Sequence, residues 1–199
     1  IDMYILTEAY NKQFRNWLKD NTGSVIKPEL PTVTEMELSY RELQQNKSIS
    51  DTLLFNPAKF KILFGEKADE EFQATFKIVK TANSRISNSE IKSRVVNIID
   101  EYFSIDNWNF GETFYFSELA SYIHNELSQY ISSIVIVPKS NLQKFGDLYQ
   151  IACEPNEIFV SDAGVSDIEI IDGITASQLS NNTQANIFGG FTPTALNNL

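Results

Sequence analysis

Hydrophobic spacing divides the chain into short elements. Tyr10, Phe14, Trp17 and Leu18 recur at i, i+4, i+7 and i+8, which places them on one face of a helix. Thr7 is positioned to cap that helix, and Asn21 to Gly23 to stop it. Residues 3–6 read as a short strand before it. Pro28 and Pro31 mark a linker, since neither can continue a helix. Thr34 followed by Glu37 fits a capping box that opens a helix to about residue 45, with Met36, Tyr40 and Leu43 inward. Phe60, Ile62 and Phe64 alternate and predict a strand over 59–64. Phe72, Ala74, Phe76 and Ile78 alternate with polar neighbours and predict a half-buried strand over 71–80.

The second half is more strongly patterned. Ser87 and Glu90 form another capping-box signature. Behind it Ile91, Val95, Ile98 and Tyr102 line one helical face, which Val96, Ile99 and Phe103 widen, so this helix is expected to be deeply buried. Residues 106–116 read as an aromatic loop with one glycine, Gly111. Ser117 is expected to cap a further helix in which Leu119, Ile123, Leu127 and Tyr130 share a face. A β-branched run over 132–137, closed by Pro138, predicts a strand, and 148–152, 157–160 and 167–171 predict three more. Pro155-Asn156 and Ala163-Gly164 separate these as turns. The order predicts an α+β fold: a mainly antiparallel sheet with two amphipathic helices on one face. A helical N-terminal segment (1–56) precedes this domain (57–172), and an extended arm (173–199) follows it. The chain begins at Ile1 with no signal-like leader, and we read it as a piece of a longer protein.

Composition narrows the possible functions. At 42% apolar and 12% aromatic the chain is too hydrophobic to be disordered, and no apolar run approaches the roughly 20 residues of a membrane span. One cysteine, Cys153, excludes an internal disulfide, and one histidine, His124, excludes a His-rich metal site. Charge is unevenly spread. Residues 1–144 hold all 16 Lys and Arg, residues 145–172 hold acids and no base, and residues 173–199 hold no charged side chain. That split disfavours nucleic acid or an anionic membrane as the partner.

Candidate chemistry is sparse. Glu112 and Glu118 flank the aromatic loop and are the best available pair for a glycosidase acid and base, although a sequence fixes neither their separation nor their burial. Glu118 reads equally as a first-turn acid complementing a helix dipole. Nothing in the spacing brings Cys153 to His124 as a nucleophile pair. Asp162, Asp167, Glu169 and Asp172 lack the spacing of a calcium loop. Alternation places Asp167 and Glu169 on the solvent side of a strand whose Ile168 and Ile170 face inward, which makes these four acids candidates for an interface. Phe188 and Phe191 in the uncharged arm are further interface candidates. No cofactor site and no catalytic constellation emerges.

One stretch carries a family resemblance. A long amphipathic helix leads to Asp106, Trp108, Phe110-Gly111-Glu112 and Phe116-Ser117, then to a second helix and the strand Ser133-Ile-Val-Ile-Val137. This resembles the C-terminal part of the baseplate J-like family of contractile-tail phages. Ser48 to Asp51, Phe55 to Phe60, Leu63 to Gly65 and Asn156 to Asp162 look like its long members from T-even-like phages. The family's small-residue turn before the last of these strands is replaced here by Gln129 to Ser133. The resemblance implies a structural virion protein and not an enzyme. Such a subunit of the tail baseplate wedge is assembled in the host cytoplasm, forms a homodimer and joins wedges into the inner ring. Neighbouring wedge proteins and the tail sheath initiator would be its partners, and it would help to trigger sheath contraction. In that reading Phe110, Gly111, Glu112, Phe116 and Ser117 are turn and packing residues. The rival classes are a cell-wall-degrading tail enzyme and a host-receptor-binding tail tip module.

Overall fold

Most elements form where hydrophobic spacing places them. The computed structural model describes residues 2–42, 54–82, 84–139 and 150–171. Strand β1 (Asp2–Ile5) leads into α1 (Glu8–Lys19), whose first turn is closed by the Thr7 hydroxyl accepting from the Tyr10 amide. Tyr10, Phe14 and Leu18 are its buried side chains, as the i, i+4, i+8 spacing requires. Helix α2 (Val33–Ser39) starts earlier than expected: the capping box is Thr32 with Glu35, not Thr34 with Glu37. Two overlapping Thr-x-x-Glu runs compete, and the first one wins because it lets Met36 pack with Ile5 and Phe55. Leu43 lies outside the described residues.

Strands β2 (Leu54–Pro57), β3 (Lys59–Leu63) and β4 (Ala74–Lys80) follow. The run 71–80 is shorter as a strand than its alternation implies, because residues Glu70–Phe72 form a 3-10 turn. Helix α3 (Asn88–Tyr102), capped by Ser87, buries Ile91, Val95 and Ile99. Beyond it come β5 (Thr113–Tyr115), α4 (Phe116–Glu126), β6 (Ile131–Pro138), β7 (Gln150–Ala152), β8 (Glu157–Ser161) and β9 (Ile168–Ile171).

The fold is α+β, but its sheets are small and the pairing differs from a mainly antiparallel meander. β4 lies between β6, antiparallel, and β9, parallel. β3 pairs in parallel with β8 and β1 with β2, while β5 and β7 are antiparallel. The last strands therefore return beside β3 and β4 instead of pairing with one another. Parallel pairing needs a long crossover, and the stretch through α3 and α4 supplies it. The three-stranded sheet presents Phe76, Ile78, Ile134, Ile136, Ile168 and Ile170 to the two helices, and this is the main core.

Phe64 sits at the centre of that core. Its ring meets Phe76 at 4.9 Å and Phe103, Phe114 and Phe116 at 6.0 Å each. Its backbone is left-handed (φ 61°), as is that of Gly65 (φ 70°). A Cβ on Gly65 would stand 1.9 Å from the carbonyl oxygen of Asp162, so only glycine fits where this turn crosses β8's exit.

Candidate functional site

The aromatic stretch 104–117 is a joint between α3, the β7–β8 turn and α4. Asn107 and Trp108 donate from their side chains to the carbonyls of Glu101 and Tyr102 at 2.8 and 2.9 Å, closing the C-terminus of α3. The Trp108 ring stacks on Phe103 at 5.6 Å and meets Phe159 edge-on at 5.0 Å. Gly111 turns with φ 72°, its amide donates to the Glu157 carbonyl (3.1 Å), and the Cys153 amide donates to the Glu112 carbonyl (3.0 Å). Phe114 and Phe116 are buried, and Phe110 is half-buried against Tyr4. The aromatics of this stretch are thus packed on the chain's own core.

Ser117 does not cap α4. The helix begins at Phe116, Tyr115 occupies the cap position without a side-chain bond, and Ser117 is exposed in the first turn. The reason is β5, which stays paired with β7 through Tyr115 and runs straight into the helix.

Beside the joint lies a cleft of about 470 Å³ lined by Glu101, Tyr102, Asn107, Trp108, Glu112, Thr113, Glu118 and Tyr122. Glu112 and Glu118, the pair singled out in the sequence, share it, and Glu101 and Tyr122 join them. Tyr102 stands 5.4 Å from Tyr122 and 5.7 Å from Trp108, ring centre to ring centre. No ion pair to Glu101, Glu112 or Glu118 forms among the described residues; Glu112 accepts only from the Asn109 amide group, at 2.7 Å. Residues 95–138 contain six carboxylates and no Lys or Arg, and among the described residues no Lys or Arg lines the cleft. Burial, reinforced by the charges of Glu118 and Glu112, pushes the Tyr102 phenol up to about 12. Burial together with Glu101 and Glu126 raises Tyr122 as well. The cleft is an anionic hollow with an aromatic wall, a setting that favours a guanidinium or ammonium group. Of the candidate glycosidase pair, Glu112 is half-buried and Glu118 exposed, so only Glu112 is partly shielded from water.

Of the acids in the C-terminal stretch, Asp167 is not on the solvent side, where the alternation predicts it. Asp167 is only 1% exposed. It sits in a 3-10 turn before β9, accepts from the Gly164 amide at 2.8 Å and bonds the Lys139 ammonium. Strand alternation starts at Ile168 and does not reach it. Asp162 accepts from the Lys67 amide at 2.8 Å, with the Lys67 ammonium at 4.0 Å. Glu169 is exposed but lies 3.8 Å from the Lys77 ammonium, and Glu157 bonds Lys61 at 3.1 Å. Asp162 and Asp167 are thus tied within the chain, while Glu169 stands on the exposed side of β9, as the alternation predicts. Asp172, Phe188 and Phe191 lie outside the described residues.

Other reactive groups are isolated. Burial, with a contribution from Glu157, pushes the Cys153 thiol up to about 12, which leaves it protonated and unfit as a nucleophile. His124 is half-buried beside Ser132, Ser133 and Ile134. Among the described residues no three His, Cys, Asp or Glu side chains gather as metal ligands, and no helix is long and apolar enough to cross a membrane. A second cleft, of about 520 Å³, separates α1 from α3 and residues 160–165, with Arg15 and Lys19 on one side and Asp100 on the other. No protein-family model matches the chain, and no curated protein sequence matches it either.

Proposed function

We propose that the chain is a structural subunit of a contractile phage tail baseplate, which assembles with its neighbours and carries out no chemistry. One observation carries this reading: the stretch with the family resemblance is a packed joint, and beside it stands an acidic, aromatic cleft lined by no Lys or Arg among the described residues. Such a cleft suits a basic segment of an adjacent wedge protein, its charge set by Glu101, Glu112 and Glu118 and its stacking surfaces by Tyr102 and Tyr122. In the same reading the protein is a homodimer within the inner baseplate ring and resides in the virion. Immunogold labelling of contractile tails from the encoding virus tests the location, and Glu101→Lys with Glu118→Lys tests the surface. Label at the baseplate, and a tenfold or greater loss of incorporation by the folded double variant, are expected. Unlabelled tails would overturn the assignment; full incorporation of the variant would overturn the cleft's part in it.

A wall-degrading activity is the second reading, favoured only by the shared cleft of Glu112 and Glu118. Release of reducing ends from peptidoglycan by the full chain, lost on Glu112→Gln, would replace the structural reading with it.

A further inference from the structure

Two small sets of contacts hold α1 against the rest of the molecule. Tyr10, Phe14 and Leu18 pack on Val160 with Phe60 and Ile62 beside them, in a cluster separate from the main core. The Phe14 and Phe60 rings stack at 4.5 Å. At the C-terminal end of α1 a single side chain gathers the polar contacts. The Lys67 ammonium donates to the carbonyls of Leu18 (2.6 Å) and Asp20 (2.8 Å) and lies 5.5 Å from the centre of the Trp17 ring. The last carbonyls of a helix have no partner within it and carry its negative pole, so one ammonium there supplies both hydrogen bonds and charge. Lys67 is itself fixed by its amide bond to Asp162, just past the left-handed Phe64-Gly65 turn.

The elements flanking α1 belong to a third cluster, Ile5 of β1 with Met36 of α2 and Phe55 of β2. β2 passes to β3 through one residue, Ala58, whose amide donates to the Ile5 carbonyl at 2.8 Å. Toward α3 a cleft of about 520 Å³ intervenes, lined by Arg15, Leu18 and Lys19 of α1 and by Val96, Asp100 and Phe103. Separate clusters joined by few contacts open separately.

We propose that α1 opens from the rest of the fold as a unit of its own, latched by Lys67 at its C-terminus, and that its opening uncovers Phe60, Ile62 and Val160. This holds whatever the chain assembles into. Native-state hydrogen exchange on the full chain, in a series of low denaturant concentrations, tests it. The amides of Glu8–Lys19 should exchange at least tenfold faster than those of β4 and α3, with a shallower denaturant dependence. In Lys67→Met the α1 amides should lose a further tenfold of protection while β4 and α3 stay within twofold, and Lys67→Arg should recover part of the loss. Equal denaturant slopes for α1 and β4 in the wild type would overturn the proposal without any variant. Equal loss of protection across α1, α3 and β4 in Lys67→Met would overturn the latch.

Discussion

Alanine at Gly65 should be among the costliest single methyl additions this chain can receive, and the structure shows why. The new Cβ would lie 1.9 Å from the Asp162 carbonyl oxygen and 2.7 Å from its carboxylate, where 3.0 Å is the practical limit. The obstacle is backbone, so a side chain cannot simply swing away, and Asp162 must shift by about 1 Å. Asp162 holds two bonds at this point: its amide donates to the Leu63 carbonyl at 3.0 Å, and its carboxylate accepts from the Lys67 amide at 2.8 Å. Losing a neutral and a charge-assisted hydrogen bond costs about 1 and 2 kcal/mol. A left-handed backbone costs alanine a further 1 kcal/mol or so, for a loss of about 4 kcal/mol. For a protein of this size that lowers Tm by roughly 8–16 °C. Gly23 and Gly111 separate the steric cost from the conformational one. Both are left-handed, with φ 71° and 72°, but a Cβ on Gly23 meets nothing within 4 Å, and one on Gly111 makes ordinary contacts with Pro155 at 3.4 Å and the Glu154 carbonyl oxygen at 3.8 Å. Their alanine variants should each lose about 1 kcal/mol. Urea unfolding of the four proteins, followed by tryptophan fluorescence, gives the comparison. A Gly65→Ala variant within 1 kcal/mol of Gly23→Ala would refute the steric argument.

Two further predictions concern the internal charges. Asp167→Ala should cost about 2–3 kcal/mol in urea unfolding, because it strips the Lys139 ammonium and the Gly164 amide of a buried acceptor. Lys77→Met should be neutral or stabilising in the same assay, because this ammonium, 7% exposed, makes one ion pair at 3.8 Å and Glu169 can rehydrate when it goes. Burial raises the Asp162 carboxyl above its ordinary value; the Lys67 amide and ammonium oppose the shift, and Asp167 and Glu66 add to it. A raised acid binds its proton more tightly in the native state, so its ionisation removes stability as pH rises through the raised value. Asp162→Asn should therefore gain on the wild type between about pH 4 and pH 7, and urea midpoints at those two pH values with an unchanged difference would contradict this.

Local pattern carried the elements and missed their partners, for a physical reason in each case. Helix spacing located α1 and α3 because their buried faces repeat every turn, and side-chain caps at Thr7 and Ser87 are encoded within three residues of the bond they make. The cap of α4 was illegible because a tertiary pairing, Tyr115 with Gln150, decides where that helix can begin. The pairing of β3 with β8 and of β4 with β9 joins residues about a hundred positions apart, and β-branched composition says nothing of which strand lies beside which. Gly65 left no mark beyond being a glycine, since the need for it comes from Asp162 across the sheet. In the candidate site, Glu112 and Glu118 were visible as flanks of the aromatic run; Glu101 and Tyr122 became neighbours only when α3 and α4 packed together.

The charge split along the sequence gains its meaning from those parallel pairings. Bases are confined to residues 1–144 and residues 145–172 hold acids alone, a pattern that reads as an acidic face awaiting a basic partner. The fold supplies the partner from within. β8 and β9 return beside β3 and β4, and the ties Lys61–Glu157, Lys67–Asp162 and Lys77–Glu169 form across that return, with Lys139–Asp167 closing its end. Counting charge by sequence window therefore finds excess acid where the folded molecule has little to offer. Residues 95–138 hold six carboxylates and no lysine or arginine, and of these Asp100 faces Arg15 and Lys19 across the other cleft. Three others, Glu101, Glu112 and Glu118, converge from α3, the aromatic joint and α4 on one cleft, which makes it the first place to seek an electrostatic docking site.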